Sequence, residues 1–133
     1  MITVIFACVH NAGRSQMAAA FFNEIADSSR ARAVSTGTNP GKHVHPEVVV
    51  TMREVDIDLS EARPVRLSDD MARGADWLVT MGCGEACPNV VGPKRDDWPL
   101  PDPKGQPVER VREIRDEVRQ RVQAFVRENG WGR

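Results

Sequence analysis

Tyrosine is absent from the 133 residues, and the other aromatics are limited to four Phe and three Trp, so a pocket meant to stack on a phenol-sized group has few walls to draw on. Excess charge is lacking too. Lys plus Arg number 18 and Asp plus Glu 19, and with no basic stripe this points away from nucleic acid and acidic membranes. No apolar run approaches the roughly 18 residues needed to cross a bilayer, and the first residues lack the charged segment and apolar core of a signal peptide. Cysteine is scarce and odd in number, three, which favours thiol chemistry in a reducing cytoplasm over structural bridges. Neither an internal repeat nor a linker composition is present, and residues 1–133 read as one domain long enough for a proper core.

What the chain does have is concentrated near its start. Cys8, Val9, His10, Asn11, Ala12, Gly13, Arg14 and Ser15 follow a β-branched run at residues 2 to 6 and lead into a helix-favouring stretch at residues 16 to 25. Strand, loop and helix start therefore meet at one point. There the amides of residues 10 to 15, with the first free N–H groups of the helix, can form a cradle for a tetrahedral anion. Gly13 supplies backbone freedom where the loop curls. A cysteine at the mouth of that cradle lies in the positive field of the helix end and of Arg14, surroundings that favour the thiolate. The planar fork of Arg14 can also bind two oxygens of the anion that Cys8 attacks. Ser15 has two uses open to it, holding the sulfur anion or capping the helix. A free cysteine at a strand end is most often a small buried hydrophobe. The strand, glycine, arginine, serine and helix together favour a nucleophile.

Further along, residues 31 to 36 read as a second strand, which with the first helix (about 15 to 27, inward stripe Met17, Phe21, Ile25) makes a right-handed parallel βαβ unit. Residues 37 to 45 form a polar loop. His43 and His45 within it are more simply solvated side chains or a helix start than a metal pair, and His10 is a spacer whose amide counts more than its ring. Pro46 suits a first helical turn. Val48, Val49 and Val50 favour a strand by propensity, while Val49, Met52 and Val55 keep a helical period up to about residue 55. Ser68 can cap a short third helix, residues 76 to 81 form a buried third strand, and a short fourth strand lies within residues 94 to 100. From 107 to 128 a long amphipathic helix carries Val108, Val111, Ile114, Val118, Val122 and Phe125 on one face, with possible surface pairs Arg112 with Asp116 and Glu117 with Arg121.

Cys83 and Cys87 follow the third strand in a glycine-flanked loop, at the sheet edge where open α/β sheets place their ligands. Their C-x3-C spacing has no neighbouring fourth ligand for zinc, so redox thiols are favoured over a metal site or inert loop cysteines, and no metal is expected.

The Cys8-x5-Arg14-Ser15 loop, Ser35-Thr36-Gly37-Thr38, Val79-Thr80-Met81 before the cysteine pair, and Asp102-Pro103 occur in an order that resembles the low-molecular-weight tyrosine phosphatases and the arsenate reductases built on the same fold. The resemblance covers nearly the whole chain. It implies a three-layer α/β/α fold with a four-stranded parallel sheet in the order 2-1-3-4, a helix rather than a strand after Pro46, and Asp102 as the acid that protonates the leaving oxygen. For the three-cysteine reductases it further implies that Cys8 attacks arsenate, that Cys83 then forms a disulfide with Cys8, and that Cys87 takes over Cys83. The final disulfide would pass to thioredoxin, whose potential of about −270 mV suffices. Such a relay requires Cα atoms to approach to about 4.4 to 6.8 Å, which glycines at 82, 84 and 92 permit.

Two departures from the family pattern matter. Lys104 follows Asp102-Pro103 where the phosphatases carry an aromatic, which weakens a tyrosine phosphatase reading. The close C-x3-C pair looks like the variant of bacteria that make mycothiol, so mycothiol with a mycoredoxin is the alternative reductant. The expectation is a cytoplasmic arsenate reductase, monomeric or a weak dimer, that takes arsenate or a phosphate-like oxyanion and meets its reductant transiently. A low-molecular-weight phosphatase and a non-catalytic oxyanion or redox sensor are the alternatives.

Overall fold

The computed structural model describes residues 1–82 and 90–133, so Cys83 and Cys87 lie outside the described residues. Strand β1 (Ile2–Cys8) leads through the loop into helix α1 (Arg14–Ile25), and β2 (Ala31–Gly37) returns parallel to β1 with Ile2 opposite Ala31 and Cys8 opposite Gly37. On the other side of β1 lies β3 (Trp77–Thr80), with Val4 opposite Trp77 and Ala7 opposite Thr80, and β4 (Lys94–Asp97) adds parallel to β3. The order is β2-β1-β3-β4, as the family resemblance implies. β1 is thus central, and its last residue, Cys8, leaves the sheet at the carboxyl edge with a strand on either side.

Alternation along β1 sorts its side chains between two cores. Val4, Phe6 and Cys8 join the larger one with residues of α1, of α2 (Pro46–Arg53) and of α4 (Val108–Glu128). Ile5 and Ala7 join Leu67, Leu78, and Ala72 of α3 (Asp69–Gly74) on the opposite face. Helices therefore cover both faces. Phe125 of α4 is the hub of the larger core, with the rings of Phe6, Phe22, Trp77, Trp98 and Trp131 all 5.2 to 6.5 Å from its own. Phe21 is fully buried as well. All seven aromatic side chains of the chain are thereby committed to the interior.

The valine run is helical. Pro46 opens α2, Val48 and Met52 are fully buried four residues apart, and Val50 between them is half exposed, a helical gradient that no alternating strand would give. Val55 falls beyond the helix, Val48 and Met52 are its deepest apolar residues, and Val49 and Val55 pack partly buried against the same core. Ser68 caps α3 by accepting from the Met71 amide at 3.1 Å.

The charged face of α4 departs from the local pairing expected. Arg112 does not reach for Asp116 but clamps Glu54, just past α2, through bonds of 2.8 to 3.2 Å, and Arg115 joins from the next turn at 2.9 Å. Asp116 pairs with Arg115 instead, and Arg121 lies 5.3 Å over the Trp98 ring. Spacing rules within one helix carry no information about the carboxylate that a neighbouring helix presents.

Candidate active site

The loop after β1 turns its carbonyls outward. Those of Cys8, Val9, His10 and Ala12 accept from the amides of Thr38, Asn39, Gly41 and His45 at 2.8 to 3.1 Å. The peptide planes are thereby flipped so that, among the described residues, the amides of residues 10 to 13 donate to no protein acceptor. They add to the free N–H groups at the start of α1, and together they form a concave row of unpaired donors of the kind that suits an anion. The packing of this loop on the second strand explains the Ser35-Thr36-Gly37-Thr38 stretch: a Cβ on Gly37 would lie 2.7 Å from the Val9 carbonyl.

The left-handed residue of the loop is Asn11, at φ +51°, and not Gly13, whose φ is −144°. Gly13 is needed for space, because a Cβ there would meet the Pro103 ring at 2.7 Å. Asparagine tolerates the left-handed region because its side chain can bond locally. Here that side chain is fully buried and has a second use. Its Oδ1 accepts from the Val65 amide at 2.8 Å, and since a backbone N–H can only donate, the amide nitrogen must face the other way, where it donates to Ser15 Oγ at 2.7 Å. Ser15 Oγ lies 2.9 Å from Cys8 Sγ. With one lone pair of its oxygen taken by Asn11, the hydroxyl can turn its proton to the sulfur, and it must do so when the sulfur is a thiolate, which can only accept. The helix N-cap is Gly13 without a side-chain cap, so of its two possible uses Ser15 serves the thiol.

Arg14 is the first residue of α1 and is 8% exposed. Its Nη1 donates to the Leu100 carbonyl at 3.0 Å, its Nη2 stands 3.7 Å from Asp102 Oδ2, and its Nε is buried with no partner. Gly82, at φ +95°, lets the backbone pass directly against Nη1, where a Cβ would collide with the guanidinium. A buried cationic donor without an acceptor is costly unless something fills the place. An oxyanion on the cradle supplies the missing acceptor.

The acid candidate, Asp102, is brought to the same mouth by the segment from Trp98 to Lys104. It is 46% exposed, and its Oδ1 accepts from the Lys104 amide at 3.0 Å. Pro103 packs over Gly13 beside the ring of His45. Burial pushes the His45 imidazole below its ordinary pKa, and Asp102 and Glu47 oppose that shift. The His45 backbone fastens α2 to the loop, and His10 donates through Nδ1 to the Asn39 carbonyl at 3.2 Å. Among the described residues no group of three or more His, Cys, Asp or Glu is placed to hold a metal ion, and no helix is long and apolar enough to cross a membrane.

Sequence reasoning named Cys8, Arg14, Ser15 and Asp102, and all four meet here. It missed the side-chain role of Asn11 and the close approach of Gly82. A glycine directly after a strand, and an asparagine inside a tight loop, are the signals that pointed to the last and the first of these.

The low molecular weight phosphotyrosine protein phosphatase model matches residues 3–129. The chain belongs to the low molecular weight phosphotyrosine protein phosphatase family. Within reach of this phosphatase-family chain is a putative arsenate reductase of Halobacterium salinarum, 44% identical over 88% of the chain and 85% of the relative. A thioredoxin-dependent arsenate reductase of Corynebacterium glutamicum superimposes with a TM-score of 0.83 at 37% identity, over 96% of this chain and 61% of that longer protein. An arsenate reductase solved in its phosphate-binding state also gives a TM-score of 0.83, at 30% identity, over 96% of this chain and 98% of that one. The family's fold thus hosts redox chemistry on the same scaffold as phosphate ester chemistry.

Proposed function

We propose that this protein is an arsenate reductase. The observation that carries the reading is the set of outward loop carbonyls, which leaves inward amides above a cysteine that faces a donating serine, with an arginine Nε waiting for an acceptor. Such a site selects a tetrahedral oxyanion. Against an aryl phosphate stands the placement of the aromatics: all seven are in the core and none is left to wall the mouth. The family relatives named arsenate reductase support the same choice.

In this reading arsenate enters on the amides of residues 10 to 15 and on Arg14. The Cys8 thiolate attacks arsenic, and Asp102 protonates the oxygen that leaves as water. A second thiol, Cys83, attacks the sulfur of Cys8. The S–As bond breaks, its electron pair stays on arsenic, As(V) becomes As(III), and arsenite departs from a Cys8–Cys83 disulfide. Cys87 then attacks Cys83, which frees the Cys8 thiolate and leaves an 83–87 disulfide for an external dithiol such as thioredoxin. Mycothiol followed by a mycoredoxin is the competing donor, and it would attack the Cys8 adduct directly. Either route belongs in a reducing cytoplasm.

One coupled assay tests the proposal: arsenate-dependent NADPH consumption with thioredoxin and its reductase, repeated with the mycothiol system, beside hydrolysis of an aryl phosphate. Arsenate turnover in one of the reducing systems is expected. Aryl phosphate hydrolysis with no arsenate reduction in either system would reject it. Cys83→Ser is expected to abolish turnover with thioredoxin, and full activity in that variant would remove the relay.

A further inference from the structure

Gln16, the second residue after Arg14, is 5% exposed, and its side-chain hydrogen bonds go to the back of the loop and not to Cys8. Its Nε2 lies 3.1 Å from the Asn11 carbonyl, 3.2 Å from Asn11 Oδ1 and 3.3 Å from the Arg63 carbonyl. Three oxygens around one atom identify it as the amide nitrogen, because an amide oxygen there would face three other acceptors.

We propose that Gln16 is a positioning residue for the Cys8 thiolate, acting through Asn11 and Ser15. It meets Asn11 twice. At the backbone it holds the carbonyl of a residue kept in the left-handed region, a conformation that costs free energy and persists only where the surroundings over-determine it. At the side chain it is the second donor, beside the Val65 amide, on Oδ1. Two donors on that oxygen polarise the carboxamide and strengthen its donation to Ser15, whose own proton is thereby committed to the sulfur. The bonds run in one direction, from Gln16 and Val65 to Asn11, to Ser15, to Cys8. The third contact, to Arg63, secures the segment that supplies Val65. That segment is pinned on its other side by Gly37, whose amide donates to the Val65 carbonyl at 2.8 Å and whose carbonyl accepts from Leu67 at 2.9 Å. Reactivity of the nucleophile is therefore set in part by a residue on the far side of its loop, next to the connection after α2.

This inference rests on Cys8 being the reacting thiol, and its test keeps the two apart. Gln16→Met preserves length and removes every donor from the three oxygens. Alkylation of Cys8 by iodoacetamide is followed by peptide mass spectrometry on the full chain. The variant is expected to react about threefold more slowly than wild type at pH 6 and at the wild-type rate at pH 9.5, because a hydrogen bond that favours the ionised sulfur matters less as the pH rises. Equal rates at pH 6, or a loss of the same size at both pH values, would overturn the inference, since a purely structural defect changes access at every pH. Gln16→Glu is the second variant, closest in shape. At pH 7 its carboxylate faces Asn11 Oδ1, so Cys8 should react more slowly than in Gln16→Met, and a wild-type rate would again overturn the inference. If instead wild-type Cys8 gains no protection from phosphate or arsenate, the reading of the site fails, whatever Gln16 does.

Discussion

Cys8 is 2% exposed and sits among groups that are all fixed: Ser15 and Asn11 are fully buried, and four loop carbonyls are tied to the 38–45 segment. Asp102, on the opposite lip, has a side chain 46% exposed and held by one turn of backbone and a 3.7 Å approach to Arg14. The half around Cys8 is built before any ligand arrives, whereas the half around Asp102 leans on the guanidinium. In the proposed mechanism an arriving oxyanion would complete the first half and compete with the second, releasing Asp102 to carry a proton. Arg14 joins the two halves, since its Nη1 is fastened to the arm at Leu100 and its Nε is left for the guest.

Breaking the shared element should have the largest effect. Arg14→Lys keeps the charge and loses the fork, and kcat/KM for arsenate should fall by about 10³. A loss below tenfold would mean that the amides bind the anion without it. Asp102→Asn strikes the arm alone: turnover should drop about a hundredfold while anion affinity, read by phosphate protection of Cys8, is kept or improved. If Asp102→Asn weakens phosphate binding, Asp102 does not compete for Arg14. Gly82→Ala moves the guanidinium without removing it and puts a side chain in the left-handed region, so steady-state kinetics should show a loss of some tens of fold and the thermal midpoint should fall by a few degrees. Full activity would show that Arg14 has room to yield.

The smallest effect lies far from both halves. Hydrogen bonds from Arg112, and then from Arg115, hold the Glu54 carboxyl below its usual range. Its stabilising contribution is therefore fully present above about pH 4.5 and is lost as the pH falls through the lowered folded-state value. Glu54→Gln should be slightly less stable than wild type at pH 6, and the gap should narrow as the pH falls below about 4.5 in urea titrations. Catalysis should not change. A gap that widens on acidification would contradict the assignment.

The same contrast marks what could be read from the chain alone. The sheet order, the helix after Pro46 and the meeting of Cys8, Arg14, Ser15 and Asp102 were legible, because strand and helix periods are local and the motif order is specific. The role of Gln16 was not, since a glutamine on a helix gives no sign that two carbonyls from Asn11 and one from Arg63 will surround it. The expected pairing of Arg112 with Asp116 failed for the same reason, since the carboxylate that Arg112 meets, Glu54, lies just past another helix. Gly13 was assigned to the loop for its freedom, and its value turned out to be the space it leaves for Pro103. Contacts made across the fold are invisible until the fold is in hand.

The central claim of the proposal is that Cys8 is the reacting thiol, beside loop amides that take a tetrahedral oxyanion. Its most direct test is alkylation of Cys8 at pH 6 with and without arsenate, read by peptide mass spectrometry. Rapid labelling that arsenate suppresses is the expected result. A Cys8 that labels as slowly as free cysteine at that pH, and is indifferent to arsenate, would contradict the account.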